Sequence, residues 1–141
     1  MESKANVIWN GSLKEGKGTI STGSGALSNV PYTFATRFEG ASGTNPEELI
    51  GAAHAGCFSM ALSGELGRAQ ITPDKIETSA VVVLGKDDAG FSVSESRLTT
   101  IVTAKGADRA KIEAAAASAK ENCPISKLLK TKISLALTVN T

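Results

Sequence analysis

Apolar and polar positions along the chain alternate in two rhythms, and the changes of rhythm mark its elements. Three short extended segments come first, Ala5–Asn10, Lys17–Thr22 and Pro31–Phe38, with Gly23-Ser24-Gly25 supplying turn chemistry between the last two. Thr44-Asn45-Pro46-Glu47-Glu48 then opens a helix that is predicted to run to Gly67. Asn45 caps it, Pro46 suits its first position, and Glu48 falls where a capping box places its acid. This helix is apolar nearly all round, the pattern of a buried central helix. Two long strands follow, Ile76–Lys86 and Phe91–Lys105, joined by a hairpin turn at Asp87-Asp88-Ala89-Gly90. A second helix spans Asp108–Glu121, Pro124 interrupts it, and a short helix restarts toward Leu129. Lys132–Asn140 closes with Ile133, Leu135, Leu137 and Val139 on one face. The order βββ-α-ββ-α-β predicts an α+β fold, with antiparallel sheets around a buried central helix.

Composition narrows this picture. The 141 residues fit one domain, expected over 1–141, and aromatics are only 4% against 41% hydrophobic, so the core is built from Ala, Val, Ile and Leu. Fifteen basic and 14 acidic residues are evenly spread, without a basic patch interleaved with aromatics, which argues against nucleic acid as a partner. The longest uncharged run, Leu49 to Gly64, is too short for a membrane span and carries His54, Ser59 and Ser63. Met1-Glu-Ser-Lys-Ala lacks the basic-then-apolar layout of a secretory signal, so the expected location is the cytoplasm. Thiols are kept reduced there, and a disulfide between the chain's two cysteines would be transient and chemical.

Each residue that could carry chemistry also has an ordinary structural reading. Cys57 lies deep in the apolar helix, where most cysteines are inert packing and desolvation suppresses the reactive thiolate. A functional Cys57 therefore needs a cation nearby. Cys123 precedes Pro124 at the helix break: it is either a solvent-side thiol or a cap placed to favour a thiolate. Arg37 is either a solvated surface charge or such a cation, and Glu47 either a dipole-friendly acid in a first helical turn or its partner. His54, one turn before Cys57, reads first as a hydrogen-bonded helix histidine. A Cys/His metal site is the weaker alternative, because the ligand spacing is not standard.

Taken together, Thr44-Asn45-Pro46-Glu47-Glu48-Leu49-Ile50-Gly51-Ala52-Ala53-His54-Ala55-Gly56-Cys57-Phe58-Ser59-Met60 and Asn122-Cys123-Pro124-Ile125-Ser126-Lys127 resemble the two cysteine motifs of the OsmC family. Arg37-Phe38-Glu39-Gly40 and Trp9-Asn10-Gly11 fit as well, in order and with matching spacing. The wider family joins OsmC with the organic hydroperoxide resistance proteins, and His54 points to the OsmC branch. The resemblance implies a thiol peroxidase working as an intertwined homodimer, with no metal or bound cofactor. It implies that Cys57 is the peroxidatic cysteine, Cys123 the resolving one, Arg37 the activating cation and Glu47 the carboxylate that orients it. Organic hydroperoxides are the implied substrates, ahead of hydrogen peroxide, and dithiols, lipoyl groups in particular, the implied reductants. A redox-sensing stress protein using the same cysteine pair as a switch is the alternative.

One geometric expectation follows for the assembly. Glu47 and Cys57, ten residues apart, would be separated by about 15 Å along a continuous helix. A site using both should therefore take Glu47 and Cys57 from different subunits, unless the helix breaks near Gly51.

Overall fold

A computed structural model describes residues 1–141, which form two compact units, Met1–Leu49 and Ile50–Thr141. The α+β character and the order of the predicted elements are observed. No helix is long and apolar enough to cross a membrane.

In the first unit, β1 (Ala5–Asn10), β2 (Lys17–Thr22) and β3 (Val30–Thr33) form an antiparallel sheet in that order. Gly18 pairs with Trp9 on one side and Tyr32 on the other. The two rings meet over it with centroids 5.3 Å apart, and a side chain at Gly18 would collide with both. The third strand is shorter than predicted: the chain leaves it at Thr33 and forms a helix, α1 (Phe34–Phe38). The cause is a capping box. The Thr33 hydroxyl accepts from the Thr36 amide at 3.2 Å, and the Thr36 hydroxyl accepts from the Thr33 amide at 3.0 Å. Alternating residues in Tyr32-Thr33-Phe34-Ala35 imitate a strand, whereas the threonine pair decides for a helix.

The helix α2 (Pro46–Arg68) runs unbroken across the boundary between the units. Its cap is as expected in part. Asn45 Oδ1 accepts from the Glu48 amide at 2.8 Å, but the Glu48 carboxylate takes the Thr44 hydroxyl at 3.1 Å rather than reaching back to the cap. At its far end Gln70 is left-handed at φ +60°, and the Ile71 amide reaches the Leu66 carbonyl at 2.9 Å, which closes the last turn.

The second unit holds most of α2, β4 (Lys75–Asp87), β5 (Gly90–Thr103), α3 (Arg109–Asn122), α4 (Pro124–Leu128) and β6 (Lys132–Asn140). β4 and β5 are an antiparallel hairpin. β6 lies beside β5 in parallel, which corrects the expectation of wholly antiparallel sheets. A parallel neighbour needs a crossover connection, and α3 with α4 provides it. Sequence patterning fixes which face of a strand is buried but not the direction of its neighbour.

The core joins Phe58, Leu62 and Leu66 of α2 to Leu98 and Val102 of β5, Val139 of β6, and Ile112, Ala115, Ala116 and Ala119 of α3. Burying each large aliphatic side chain contributes about 1.5–3 kcal/mol. Gly51 faces β4, where a Cβ would reach ordinary van der Waals contact with the Ala80 carbonyl oxygen at 3.4 Å. α2 is not buried all round, as its composition suggested. Gly51, His54, Phe58, Leu62 and Leu66 recur every three or four residues and are buried, while Ala52, Ala53, Gly56, Met60 and Ser63 are exposed. Small residues leave a helix apolar on both sides without saying which side a neighbour covers.

Candidate active site

Two cysteines 66 residues apart meet where α2 passes the break between α3 and α4, with their sulfurs 2.8 Å apart. Cys123 is both the last cap of α3 and the first of α4. Its extended backbone (φ −55°, ψ 130°) precedes Pro124, which starts α4 without needing an N–H partner. Cys57 is partly exposed and Cys123 fully buried.

The surroundings pull the two thiols in opposite directions. Burial pushes the Cys57 thiol up, and the hydrogen bond to Cys123 adds to this. Burial also acts upward on Cys123, but hydrogen bonds outweigh it and lower the thiol. Polar interactions with Cys57, Ser126 and Ile125 are the cause. Of the pair, Cys57 is the one that solvent can reach.

His54, one turn before Cys57, is fully buried and has both ring nitrogens engaged. Nδ1 lies 2.7 Å from Ser96 Oγ on β5, and Nε2 lies 2.9 Å from Ser126 Oγ on α4. Burial lowers its pKa. The hydrogen-bonded histidine expected from the sequence is observed, and with both nitrogens occupied it offers no lone pair to a metal. The chain brings together no group of three side chains suited to hold a metal ion.

Arg37 and Glu47 form their own pair in the first unit. Arg37 Nη2 donates to Glu47 Oε1 at 2.7 Å, and Nε donates to the two carboxylate oxygens at 3.3 and 3.1 Å. This fork-to-fork contact fixes the plane of the guanidinium. The hydrogen bond from Glu47 raises the Arg37 pKa further and holds the group cationic. The guanidinium also sits 5.1 Å from the centroid of the Phe38 ring. Arg37 lines a cleft of about 280 Å³ with Trp9, Leu13, Tyr32, Phe34 and Phe38. A cation at the wall of an aromatic cleft suits a small, mostly apolar molecule with a polar head.

The four residues singled out from the sequence thus form two contacts, Cys57 with Cys123 and Arg37 with Glu47. Ser96 and Ser126 were missed. Each had a signal: Ser96 occupies an inward position in the buried alternation Ser96, Leu98, Thr100 and Val102, and Ser126 lies one helical turn after Cys123. A serine at an inward position of a strand needs a partner.

The family model described as OsmC-like protein matches residues 39–138. Peroxiredoxin OsmC of Escherichia coli (strain K12) is 51% identical over 135 residues, covering 96% of this chain and 94% of the relative. Organic hydroperoxide resistance protein OhrB of Bacillus subtilis (strain 168) is 34% identical over 100 residues, covering 70% and 71%. The crystal structure of OhrB of Bacillus subtilis superimposes with a TM-score of 0.71 at 30% identity, covering 96% of this chain and 97% of that one. The OsmC like protein from Mycoplasma pneumoniae shares the fold with a TM-score of 0.77 at 16% identity, covering 100% of this chain and 99% of that one.

Proposed function

The chain belongs to the OsmC-like protein family and is a peroxidase, and from that premise we propose that it reduces organic hydroperoxides to alcohols through a Cys57–Cys123 disulfide. The observation that carries this reading is the contact of the two sulfurs at 2.8 Å, with Cys57 reachable and Cys123 buried. A substrate must meet the reachable thiol, which supports Cys57 as the attacking cysteine and leaves the resolving role to Cys123.

In this cycle the Cys57 thiolate attacks the distal peroxide oxygen. The O–O bond breaks, Cys57 becomes a sulfenic acid, and the alkoxide takes a proton to leave as the alcohol. The Cys123 thiolate then attacks the Cys57 sulfur; the S–S bond forms, the S–O bond breaks, and hydroxide leaves as water. An external dithiol, lipoyl groups being the favoured class, reduces the disulfide and is itself oxidised to a disulfide. Burial works against the first step by raising the Cys57 thiol, so the site needs a cation beside that sulfur. Arg37 is assigned that role, Glu47 the role of aiming it, and the aromatic cleft beside Arg37 that of holding the alkyl group.

The active unit is proposed to be a homodimer of OsmC-like domains working in the cytoplasm, with Glu47 and Cys57 of one site drawn from different subunits. The unbroken course of α2 supports this, because it lacks the hinge near Gly51 that would fold Glu47 back. Mixing inactive Cys57→Ser with inactive Glu47→Ala should restore activity in heterodimers; no recovery despite proven subunit exchange refutes the shared site.

The function itself is tested by hydroperoxide consumption with a panel of dithiols, beside Cys57→Ser. Sustained turnover in the wild type and none in the variant is expected. Oxidation of one equivalent without turnover would make the pair a redox switch instead.

A further inference from the structure

We propose that His54 is a positioning residue for the resolving step: a buried strut between Ser96 on β5 and Ser126 on α4, it holds the segment that carries Cys123 at the Cys57 sulfur. This rests on the two-cysteine cycle proposed above, in which His54 had no part.

Two contacts join α2 to the segment that follows α3, and they are in step. The sulfurs of Cys57 and Cys123 are 2.8 Å apart, and His54 Nε2 lies 2.9 Å from Ser126 Oγ. His54 precedes Cys57 by three residues on α2. Ser126 follows Cys123 by three, within the turn that the Lys127 amide closes on the Cys123 carbonyl at 3.1 Å. Residues three apart in a helix are neighbours on one face, with Cβ atoms about 5–6 Å apart. The polar contact is therefore a second rung, one turn from the reactive one. A shift of the segment that opens either rung opens the other.

The segment needs such a hold. α4 has five residues, and no side chain caps its start. A helix this short is not stable by itself, so its place depends on what it is tied to. Leu128 is exposed, and Ser126 is the one buried residue of α4. That residue is a serine, and its hydroxyl meets a fully buried ring. The other ring nitrogen, Nδ1, lies 2.7 Å from Ser96 Oγ. Ser96 sits on the central strand of its sheet, paired with Val82 of β4 and Ile133 of β6. Through one planar ring, α4 is thus tied to the middle of the sheet. Burial lowers the pKa of the ring, which stays neutral with one nitrogen donating and the other accepting. Serine hydroxyls can take either role, so both contacts are made in either tautomer.

The consequence is for the effective concentration of Cys123 at Cys57. An untied segment samples positions in which the sulfurs are apart, and the disulfide must then supply the ordering as it forms. Tied by His54, the segment is in place before the sulfenic acid appears. The coupling is reciprocal: what fixes the segment favours the disulfide, and the disulfide favours the fixed segment. His54 acts through Ser126 and takes no part in bond making.

The test uses thiol–disulfide exchange without peroxide, so its failure is separable from failure of the peroxidase reading. Protein is equilibrated without oxygen against glutathione. The protein dithiol and one glutathione disulfide give the protein disulfide and two glutathione thiols, and trapping the thiols yields the effective concentration of the pair. Ser126→Ala should lower it about three- to tenfold, the effect of one hydrogen bond of ordinary net strength. His54→Asn should do the same, because its amide extends only to the position of Nδ1. His54→Gln carries its amide to the position of Nε2 and should fall less than His54→Asn. A merely structural role would lower the stability of these variants and leave the effective concentration of the folded proteins unmoved. Should neither His54 variant fold, Ser126→Ala decides alone. An unchanged effective concentration in folded Ser126→Ala overturns the proposal. So does a folded His54→Gln that falls as far as His54→Asn.

Discussion

Replacing Glu47 by glutamine keeps shape and volume but removes the charge that holds Arg37. The carboxylate is nearly buried and receives three N–H···O contacts from the guanidinium, between 2.7 and 3.3 Å. Hydrogen bonds to a charged group contribute roughly 1.5–3 kcal/mol, which sets the upper bound. The Arg37 side chain is 36% exposed, and solvent screening pulls the value toward the exposed-pair range of at most about 1 kcal/mol. An intermediate loss of about 1–2 kcal/mol corresponds to a factor of roughly 5–30 in rate, if the pair serves to aim the cation in the transition state. Steady-state peroxide consumption with saturating dithiol should therefore show kcat/KM lowered 5- to 30-fold by Glu47→Gln, with the cysteines still able to form their disulfide. Arg37→Ala should lose more, because the cation itself is gone. Wild-type efficiency in Glu47→Gln beside an inactive Arg37→Ala would refute the reasoning, since the guanidinium would then need no orienting partner.

Three further outcomes are expected. Cys123→Ser should oxidise once and then accumulate irreversibly oxidised Cys57, seen as added oxygen by mass spectrometry; protection from overoxidation would reverse the order of the cysteines. Catalytic efficiency should rise with the alkyl length of the hydroperoxide until the aromatic cleft of about 280 Å³ is filled. The gain per methylene is about 0.8 kcal/mol, or roughly fourfold, and a flat or inverted series counts against an apolar pocket. Stability should fall as pH drops below about 6.5, because the unfolded chain protonates His54 there while burial keeps the folded ring neutral. The unfolded state then binds more protons, so stability rises with pH. Urea titrations from acid to neutral pH should show this slope flattened in His54→Gln.

Much of the fold could be read from the sequence because its signals are local. Asn45-Pro46 and Asp108 mark helix starts, Pro124 marks the break, and Ile133 to Val139 alternate cleanly. What escaped depends on distant partners. The direction of β6 is set by the crossover through α3 and α4, and the exposed face of α2 is apolar in the same way as its buried one. The turn from β3 into α1 was lost to a coincidence, alternating residues overlying a threonine capping box. At the site, the cysteine motifs were visible as motifs, but nothing along the chain pairs residues 57 and 123. His54 was legible as a satisfied histidine, whereas its partners Ser96 and Ser126 lie 42 and 72 residues away.

The placement of charge between the two sulfurs explains why the proposed cycle needs so many supporting groups. At 2.8 Å the reduced thiols share a hydrogen bond and titrate as a pair, so the first proton lost belongs to both. Burial pushes the Cys57 thiol up and so works against the thiolate that the first attack needs. A cation beside Cys57 offsets that penalty, because it acts on the reachable sulfur. In the proposed site Arg37 supplies that cation, and its carboxylate partner keeps it from relaxing into solvent. Losing Arg37 should therefore slow oxidation of Cys57 and leave closure of the disulfide unchanged.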